Sequence, residues 1–386
     1  MADLKPALDP NLTRRCFLKL AGSGLAGFSL GRLFGPSGRA EAQIPRKGLI
    51  IARPSYFYTP LEKGAVRCEL CPRHCRLPEG ERGFCRVREN RGGRLMSLVY
   101  GNPCAFHLDP IEKNPFFHVL PGTSSLSLAT AGCNFQCKFC QSWEISQASP
   151  EDVFGFDLPP DKAVDRAASM GARSMAYTFV EPVIFYEYMA DVGAEAKKAG
   201  LLSLIHSNGF INPAPLLQLV PVLDGANIDL KGFSQEYYQE LCGGELKPVL
   251  DTLIILKKEN LHLEITNLVV PGKNDDPALI GEMCRWIKRE LSPDTPLHFA
   301  RFYPLYKLKG LPPTPVATLE KARAEAVSAG LKYVYLGGVP GHEAANTYCP
   351  GCRKMIVRRL GFMIAENHLA EGRCRFCGHR IPGLWG

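Results

Sequence analysis

Three cysteines, Cys133, Cys137 and Cys140, place the strongest constraint on what this chain can fold into, because their C-x3-C-x2-C spacing follows a β-like run over residues 125–131. Three thiolates bind three irons of a cubane iron–sulfur cluster and leave the fourth iron without a protein ligand. An iron with an open position is a place for chemistry, as an open zinc position is. The alternatives are a zinc loop and a group of buried thiols. The sequence therefore predicts a 4Fe-4S loop that follows a strand.

Strand-like and helix-like stretches alternate downstream of this loop, which is the pattern of β–α units around a parallel sheet. The predicted strands span residues 125–131, 174–179, 202–207, 226–230, 261–270 and 296–302. The predicted helices lie near residues 161–170, 183–199, 249–260, 277–290 and 319–329. Six such units predict an α/β fold, a partial (β/α)6 barrel. Reactive residues in barrels lie at the carboxyl ends of the strands, so the motifs at those ends are the candidate site.

The cysteine loop resembles the signature of the radical S-adenosylmethionine (radical SAM) superfamily, and the strands after it agree with that resemblance. The resemblance implies that the amino and carboxylate groups of SAM bind the open iron. It also implies that an electron from the reduced cluster cleaves SAM to methionine and a 5′-deoxyadenosyl radical. Phe139 stands where the superfamily usually has an aromatic residue beside the adenine, so it is a predicted cofactor contact.

The stretch after the second strand occupies the place of a Gly-Gly-Glu-Pro-like motif whose residues contact the amino group of SAM in this superfamily. Here the two glycines are replaced by Phe179 and Val180, and only Glu181 corresponds well. The resemblance implies a SAM contact for Glu181, while the alternative is a helix cap. Because the two glycines are absent, the sequence does not predict the contact that the backbone at these positions would make with SAM.

The later strand ends carry the other residues that the resemblance assigns to SAM. Asn208 follows the third strand and resembles a turn near the ribose, although a tight turn alone uses the same residue types. Asp229 and Lys231 end the fourth strand on the same side, which suits recognition of a zwitterion or forms a plain ion pair. His298 on the sixth strand is a predicted cofactor contact, or else a satisfied core histidine.

A closer resemblance, over about residues 65–386, is to pyruvate formate-lyase activating enzymes and, closer still, to the radical SAM member of the AmmeMemoRadiSam system. It rests on several short stretches. These are the Cys-x-Leu-Cys-Pro near Cys68, Asp109-Pro110-Ile111-Glu112-Lys113, Gly132-Cys133-Asn134-Phe135, Ile145-Ser146-Gln147, Cys242-Gly243-Gly244 and Asn346-Thr347-Tyr348-Cys349-Pro350. Cys242 follows the fourth strand, so its thiol is a candidate hydrogen-atom relay. The alternative is a small buried hydrophobic residue.

Two further sets of four cysteines flank the predicted barrel. The N-terminal cysteine group consists of Cys68, Cys71, Cys75 and Cys85. Four thiolates close a tetrahedral zinc site or hold an auxiliary iron–sulfur cluster that relays electrons, and the ligand set does not discriminate between them. His74 is expected to be a surface residue between the ligands.

The C-terminal cysteine group consists of Cys349, Cys352, Cys374 and Cys377. Two C-x2-C pairs about twenty residues apart are typical of a zinc ribbon. A structural or protein-docking role is expected for this module. Nucleic acid is not an expected partner, because the formal net charge of +8 is spread without a basic block.

Residues 1–42 are typical of a targeting segment. Arg14 and Arg15 precede an apolar, Gly-rich run, and Ala40-Glu41-Ala42 offers a cleavage site, which resembles a twin-arginine signal. The resemblance implies the twin-arginine export machinery as a partner and export of the folded protein. The location would be periplasmic if the source is Gram-negative. The alternative is a disordered basic tail and a cytoplasmic protein.

The predicted organisation is a signal (1–42), an N-terminal metal-binding segment and connector (43–122), a radical SAM barrel (123–340) and a zinc-ribbon-like module (341–386). The primary functional hypothesis is a radical SAM enzyme that abstracts hydrogen from a protein or small molecule. Its cofactors would be a 4Fe-4S cluster, SAM and zinc, with a low-potential electron donor as partner. The alternatives are a glycyl-radical-enzyme activase, and an iron–sulfur electron carrier or scaffold that does not cleave SAM.

Overall fold

A computed structural model describes residues 44–386. The predicted twin-arginine segment, including Cys16, lies outside the described residues. None of the helices within residues 44–386 is both long enough and apolar enough to cross a membrane.

The N-terminal segment consists of short strands and turns. Its strands are Arg46–Lys47 (β1), Arg53–Pro54 (β2), Tyr58–Pro60 (β3), Val66–Cys68 (β4), Arg76–Leu77 (β5), Arg88–Arg91 (β6) and Arg94–Ser97 (β7). Two three-stranded antiparallel sheets result, in the orders β3-β4-β5 and β2-β7-β6. Strands this short bury little apolar surface, so such a segment needs further ties to hold its shape.

A single eight-stranded sheet forms the centre of the molecule. Its strands are Ala105–Pro110 (β8), Ser124–Ala129 (β9), Ser174–Tyr177 (β11), Leu202–Ser207 (β12), Gly225–Asp229 (β13), His262–Val269 (β14), Leu297–Arg301 (β15) and Val334–Gly337 (β16). The intervening Phe154–Gly155 (β10) pairs instead with β1. The sheet order is β16-β15-β14-β13-β12-β11-β9-β8, and only β8 runs antiparallel to its neighbour. All seven parallel strands therefore end at the same edge.

Helices separate the parallel strands and cover them. They are Trp143–Ser146 (α1), Pro160–Ser169 (α2), Tyr186–Lys198 (α3), Pro213–Leu219 (α4), Gln235–Tyr237 (α5), Leu246–Lys258 (α6), Pro277–Trp286 (α7) and Val316–Ala329 (α8). Parallel strands read as nearly continuous apolar runs because both faces are covered. Strand β11 illustrates this, since all four of its residues are buried.

The C-terminal module is a small antiparallel unit. Its strands are Thr347–Tyr348 (β17), Met355–Leu360 (β18), Met363–Asn367 (β19), Leu369–Ala370 (β20) and Arg373–Cys374 (β21). It has its own small core, built on residues such as Ile356, Val357 and Ile381. Phe117, Tyr333 and Tyr335 also belong to this core, so the module packs against the large sheet.

The six predicted parallel strands are all present, but the sheet is larger than the sequence indicated. Strand β16 adds a seventh parallel strand after α8. The predicted N-terminal connector also contains a strand. Strand β8 lies there and pairs with β9 over six residues.

Candidate active site and metal centres

The cysteine loop follows β9 at the edge where the parallel strands end. Cys137 is buried, whereas Cys133 and Cys140 are half-buried. The backbone N–H of Gln136 donates to the carbonyl of Cys242 (2.9 Å), and that of Lys138 donates to the carbonyl of Leu241 (2.8 Å). These bonds fix the loop to the segment that follows β13, because each satisfies a main-chain donor that would otherwise be unpaired.

The sulfur atoms of this loop already accept or share hydrogen bonds. The Phe135 N–H donates to Cys133 Sγ (3.3 Å), and Cys140 Sγ lies 3.2 Å from Ser146 Oγ. Hydrogen bonds to sulfur are among the features by which proteins tune iron–sulfur clusters. Three thiols on one loop, two of them with such hydrogen bonds, fit a 4Fe-4S cluster that has one iron free for a further ligand. Cys133, Cys137 and Cys140 would hold it.

A charged pair ends β13 beside the loop. Lys231 Nζ lies 2.8 Å from Asp229 Oδ2, and His206 Nε2 lies 3.0 Å from Asp229 Oδ1. The side chains of Lys231 and Asp229 keep exposures of 14% and 26%, so both remain reachable from solvent. The predicted ion pair is present, and the structure adds His206 to it.

The pKa values of this pair follow from their surroundings. Burial alone would raise the pKa of Asp229, but the charges of Lys231 and His206 outweigh it and lower that pKa. Burial alone would lower the pKa of Lys231, but the Asp229 carboxylate raises it well above its usual value. Lys231 is therefore a cation at neutral pH and faces the cysteine loop. Its Nζ lies 5.9 Å from the centre of the Phe139 ring, which is itself buried.

Glu181 caps a helix and also ties the site together. Its carboxylate accepts the N–H of Val183 (3.1 Å), which is the cap that the sequence offered as the alternative role. The same carboxylate accepts the hydroxyl of Ser207 (2.6 Å) and the N–H of Asn208 (2.7 Å). Burial raises the pKa of Glu181 to about 7 despite these donors. Glu181 thus holds the turn after β12, and a direct SAM contact for it stays a prediction.

The turn after β12 reaches the cysteine loop through two amides. Asn208 Nδ2 donates to Asn134 Oδ1 (2.8 Å), and Asn134 follows Cys133 directly. Asn134 Nδ2 in turn donates to the carbonyl of Phe210 (2.9 Å). Asn208 is therefore at the site, although its amide is used internally.

Phe179 adopts the left-handed conformation that glycine would adopt most easily. Its φ is +66°, and such a value is uncommon for a bulky residue. A glycine at this position would adopt the same conformation without a steric penalty. Residues held in such conformations cluster at functional sites, where the surroundings compensate the strain.

Cys242 is fully buried and lies against the cysteine loop. The Cys137 thiol donates a hydrogen bond to Cys242, and this bond is the largest cause that raises the pKa of Cys137 well above its usual value, followed by burial. Both predicted features of Cys242, burial and position at the strand-end face, are thus present. A relay of hydrogen atoms by this thiol stays a prediction.

The structure does not bring His298 into this group. Its Nε2 lies 2.7 Å from Glu264 Oε2, and its ring stacks on Tyr335 and packs edge-on against Phe117. Glu264 also accepts the backbone N–H groups of Phe117 and His118. These contacts match the satisfied core histidine that the sequence left open, and they tie the segment before β9 to the sheet.

The two four-cysteine groups differ in how closely their sulfurs approach. Within residues 44–386, the C-terminal group is the only set of three or more Cys, His or acidic residues whose ligand atoms all lie within 4.8 Å of one another. Cys349 and Cys377 are 3.5 Å apart, and Cys352 and Cys374 are 3.7 Å apart. The four C-terminal thiols can hold one metal ion. The N-terminal thiols do not form so tight a set.

His74 lies on the surface, as expected, with its Nδ1 2.7 Å from Glu69 Oε2. Two site residues were missed in the sequence, His206 and Asn134. Both adjoin motifs that were recognised, since His206 precedes Ser207-Asn208 and Asn134 follows Cys133. A polar residue at the carboxyl end of a buried strand is the signal that could have indicated His206.

Comparisons with known proteins identify relatives of this chain. The radical SAM superfamily matches residues 127–281. An uncharacterized protein of Methanocaldococcus jannaschii, MJ0808, is 44% identical over 331 residues, which cover 85% of this chain and 98% of that protein. The pyruvate formate-lyase 1-activating enzyme of Escherichia coli K12 is 26% identical over 224 residues, covering 53% of this chain and 89% of that enzyme.

Among solved structures, Streptococcus suis SuiB bound to S-adenosylmethionine is 12% identical, with a TM-score of 0.46, covering 59% of this chain and 53% of that chain. A radical SAM methyltransferase from Sphaerobacter thermophilus is 10% identical, with a TM-score of 0.45, covering 74% of this chain and 76% of that chain.

Proposed function

The chain belongs to the radical SAM superfamily, and on that premise we propose that it cleaves SAM reductively and abstracts a hydrogen atom from a substrate. The observation that carries this proposal is the position of three thiols beside a solvent-reachable Lys231–Asp229 pair at one edge of the sheet. When bound, a 4Fe-4S cluster supplies the electron that cleaves SAM to methionine and a 5′-deoxyadenosyl radical.

The chain's own residues bind and orient SAM in this proposal. Lys231 and Asp229 carry opposite charges within 2.8 Å of each other, which complements the carboxylate and amino groups of a zwitterion. The apolar ring of Phe139 lies within reach of the lysine and provides a surface for the adenine. Glu181 positions the turn at Asn208, which closes the site beside Asn134.

The experiment is anaerobic reconstitution of the full chain with iron and sulfide, followed by reduction with dithionite in the presence of SAM and measurement of 5′-deoxyadenosine. Cys137→Ala should abolish product formation because one iron loses its thiolate. Cys104→Ala is the matched control, since Cys104 is half-buried and lies outside all three cysteine groups. Full activity in Cys137→Ala would contradict the assignment.

Lys231→Met tests the binding role separately from the cluster. Loss of a charge-assisted hydrogen bond of about 1.5–3 kcal/mol should raise the Kd for SAM by about 10- to 100-fold. The visible absorbance of the cluster should stay unchanged. If Lys231→Met instead fails to fold, the lysine serves only as a structural ion pair. If the fully loaded wild type yields no 5′-deoxyadenosine, the protein is an electron carrier or scaffold.

A second candidate is activation of a glycyl radical enzyme, for which the 26% identity to the Escherichia coli activating enzyme provides support. The substrate would then be a backbone glycine of a partner protein. A peptide with deuterated glycine should transfer deuterium into 5′-deoxyadenosine, whereas a peptide with deuterated alanine should not. Transfer from neither peptide would count against this candidate.

We also propose, on the sequence alone, that the protein is exported by the twin-arginine route after its cluster is assembled. The paired Arg14 and Arg15 and the Ala40-Glu41-Ala42 site support this. Cell fractionation of the wild type beside an Arg14→Lys/Arg15→Lys variant tests it. Wild-type protein confined to the cytoplasm at full length would contradict export.

A further inference from the structure

The two turns that carry the C-terminal cysteine group also concentrate positive charge. Residues 349–354 and 373–380 contain five basic residues and no acidic residue. Residues 355–372 separate the two stretches in the sequence, but the four cysteine sulfurs meet within 4.8 Å of one another and bring the stretches together. The basic side chains are all exposed and form what we call the basic face: Arg353, Lys354, Arg373, Arg375 and Arg380.

The charge of the basic face is not used within the protein. Within residues 44–386, none of its five cations pairs with a carboxylate, since the ion pairs of this module involve Arg358, Arg359 and His368 instead. Arg373 donates only to the carbonyl of Gly378 (3.2 Å). Four thiolates around one Zn²⁺ ion carry two negative charges in excess, so five cations keep the face positive even when a metal is bound.

An exposed aromatic ring lies among these cations. Phe376 follows Arg375 directly, and its side chain is 46% exposed. Lys354 Nζ lies 4.7 Å from the centre of the ring, and the His368 ring lies 5.0 Å away on another side. Removing such a ring from water is favourable. An apolar ring surrounded by unpaired cations is the combination by which proteins bind the interface of a lipid bilayer.

We propose that the basic face docks the protein on a membrane surface that contains anionic phospholipids. The five cations would bind lipid phosphates, and the Phe376 ring would enter between the headgroups. Each Lys or Arg near an anionic surface adds to the attraction, which falls off within a Debye length of about 8 Å at physiological ionic strength. The proposal depends neither on SAM cleavage nor on export, and it is tested without them.

The composition of the basic face favours lipid over nucleic acid. Proteins that bind single strands usually offer several aromatic platforms along a positively charged groove. Phe376 is the only Phe, Tyr or Trp in the two stretches. The cations lie in and beside two turns, at residues 350–352 and 375–377, rather than on a helix that could enter the major groove of a duplex. A plane of headgroups requires neither feature.

The first test is sedimentation of the reconstituted, zinc-loaded full chain with lipid vesicles. One kind of vesicle contains phosphatidylcholine alone, and the other contains equal parts of phosphatidylcholine and phosphatidylglycerol. We expect binding to the mixed vesicles only, and release at about 1 M salt, where the Debye length is about 3 Å. Failure to sediment with the mixed vesicles, or equal binding to both kinds, would overturn the proposal.

Charge removal then locates the binding surface. The combined variant Arg353→Gln/Arg375→Gln/Arg380→Gln should bind the mixed vesicles about 100-fold more weakly, since each cation contributes about fivefold. The matched control removes three exposed cations from α7 and the turn after it, in the variant Arg285→Gln/Lys288→Gln/Arg289→Gln. It has the same net charge and should bind within about twofold of the wild type. An equal loss in both variants, or no loss in the first, would contradict the proposal.

A local probe separates the basic face from residues 1–42, which carry basic groups of their own. Phe376→Trp places an indole in the face. Phe362→Trp places one in the turn at the other end of β18, about 20 Å along a six-residue strand. Brominated acyl chains in the mixed vesicles should quench the indole introduced by Phe376→Trp and not the other, after subtraction of the wild-type signal. Quenching of neither, or only in Phe362→Trp, would overturn the proposal.

A single-stranded oligonucleotide serves as the competing polyanion. At equal phosphate concentration, it should displace little of the protein from the mixed vesicles. Complete displacement, together with loss of oligonucleotide binding in Arg353→Gln/Arg375→Gln/Arg380→Gln, would assign the basic face to nucleic acid and overturn the lipid proposal.

Discussion

The N-terminal and C-terminal cysteine groups contain the same number of the same ligand, yet the protein arranges them differently. In the C-terminal group, two C-x2-C turns bring four sulfurs to one point. In the N-terminal group, Cys68, Cys71 and Cys75 lie within eight residues, and Cys85 completes the set across a cavity. Ligand identity alone therefore does not determine the metal. The surrounding strands decide how closely the four sulfurs of each group approach one another.

The two regions are also attached to the large sheet by different buried arginines. Arg88 forms a bidentate ion pair with Glu187 of α3. The two N···O distances are 2.7 and 3.0 Å, and both side chains are buried. Arg359 of the C-terminal module lies 4.0 Å from Glu112 and donates mainly to neutral oxygens, including the carbonyl of Phe117 (2.8 Å). A full ion pair holds the first region, whereas hydrogen bonds and the Phe117 ring hold the second.

The largest expected effect comes from removing these arginines. Arg88→Met leaves the Glu187 carboxylate buried without its cation and should lower the free energy of unfolding by about 3–5 kcal/mol. Arg359→Met removes hydrogen bonds from a cation and should cost about 2 kcal/mol. Urea unfolding of the two reconstituted variants and the wild type measures both changes in the free energy of unfolding. If both substitutions lower the free energy of unfolding equally, the proposed difference between the Arg88 ion pair and the Arg359 hydrogen bonds is wrong.

Acid should act mainly on the C-terminal attachment, through His118. This residue lies 2.6 Å from the carbonyl of Pro382 and 2.7 Å from the Tyr335 hydroxyl. Burial lowers the pKa of His118 from 6.5 to about 4. Neutral His118 therefore stabilises the fold fully above pH 6.5, and this stability is lost as the pH falls towards 4. Glu264, His262 and Arg359 also act on His118.

The lowered pKa of His118 should cost about 3 kcal/mol in the free energy of unfolding on acidification. Each pH unit between the two pKa values contributes about 1.4 kcal/mol. The free energy of unfolding is compared at pH 7.5 and pH 4.5 for the wild type and His118→Asn. The wild type should lose more stability on acidification than the variant does. The same loss in both proteins would show that His118 is not the acid-sensitive contact.

The smallest expected effect sharpens the ligand set of the N-terminal group. His74 stands between Cys71 and Cys75, but its side chain is 48% exposed and pairs with Glu69. His74→Asn should change the free energy of unfolding by less than about 0.5 kcal/mol, as for an ordinary surface residue. The content of bound metal should remain as in the wild type. A loss of metal comparable to that of a Cys71→Ser variant would make His74 a ligand.

The chemistry of the candidate site could largely be predicted from the sequence, because its ligands lie close together along the chain. Cys133, Cys137 and Cys140 are constrained by a spacing of a few residues. Asp229 and Lys231 share one side of a strand by the two-residue period of β structure. Such local relations hold whatever the rest of the chain does.

Contacts between distant segments could not be predicted in this way. His206 joins Asp229 from the neighbouring strand, and His298 is drawn into the Glu264 network by Phe117 and Tyr335. Each outcome depends on which strands are neighbours and how they are aligned in register. Strand β8 was missed for the same reason, since its six residues are strand-forming only as partners of β9.

The sequence by itself determined the superfamily, six of the seven parallel strands and the three groups of cysteines, since thiol spacing and apolar periodicity are properties of short stretches. Only the tertiary structure decided that the four C-terminal sulfurs lie within 4.8 Å of one another and that Arg88 is buried against Glu187. Those distances result from the packing of β4, β6 and α3 on one side and of β17 to β21 on the other. Packing sums many weak contacts between distant residues, so no short stretch of sequence specifies it.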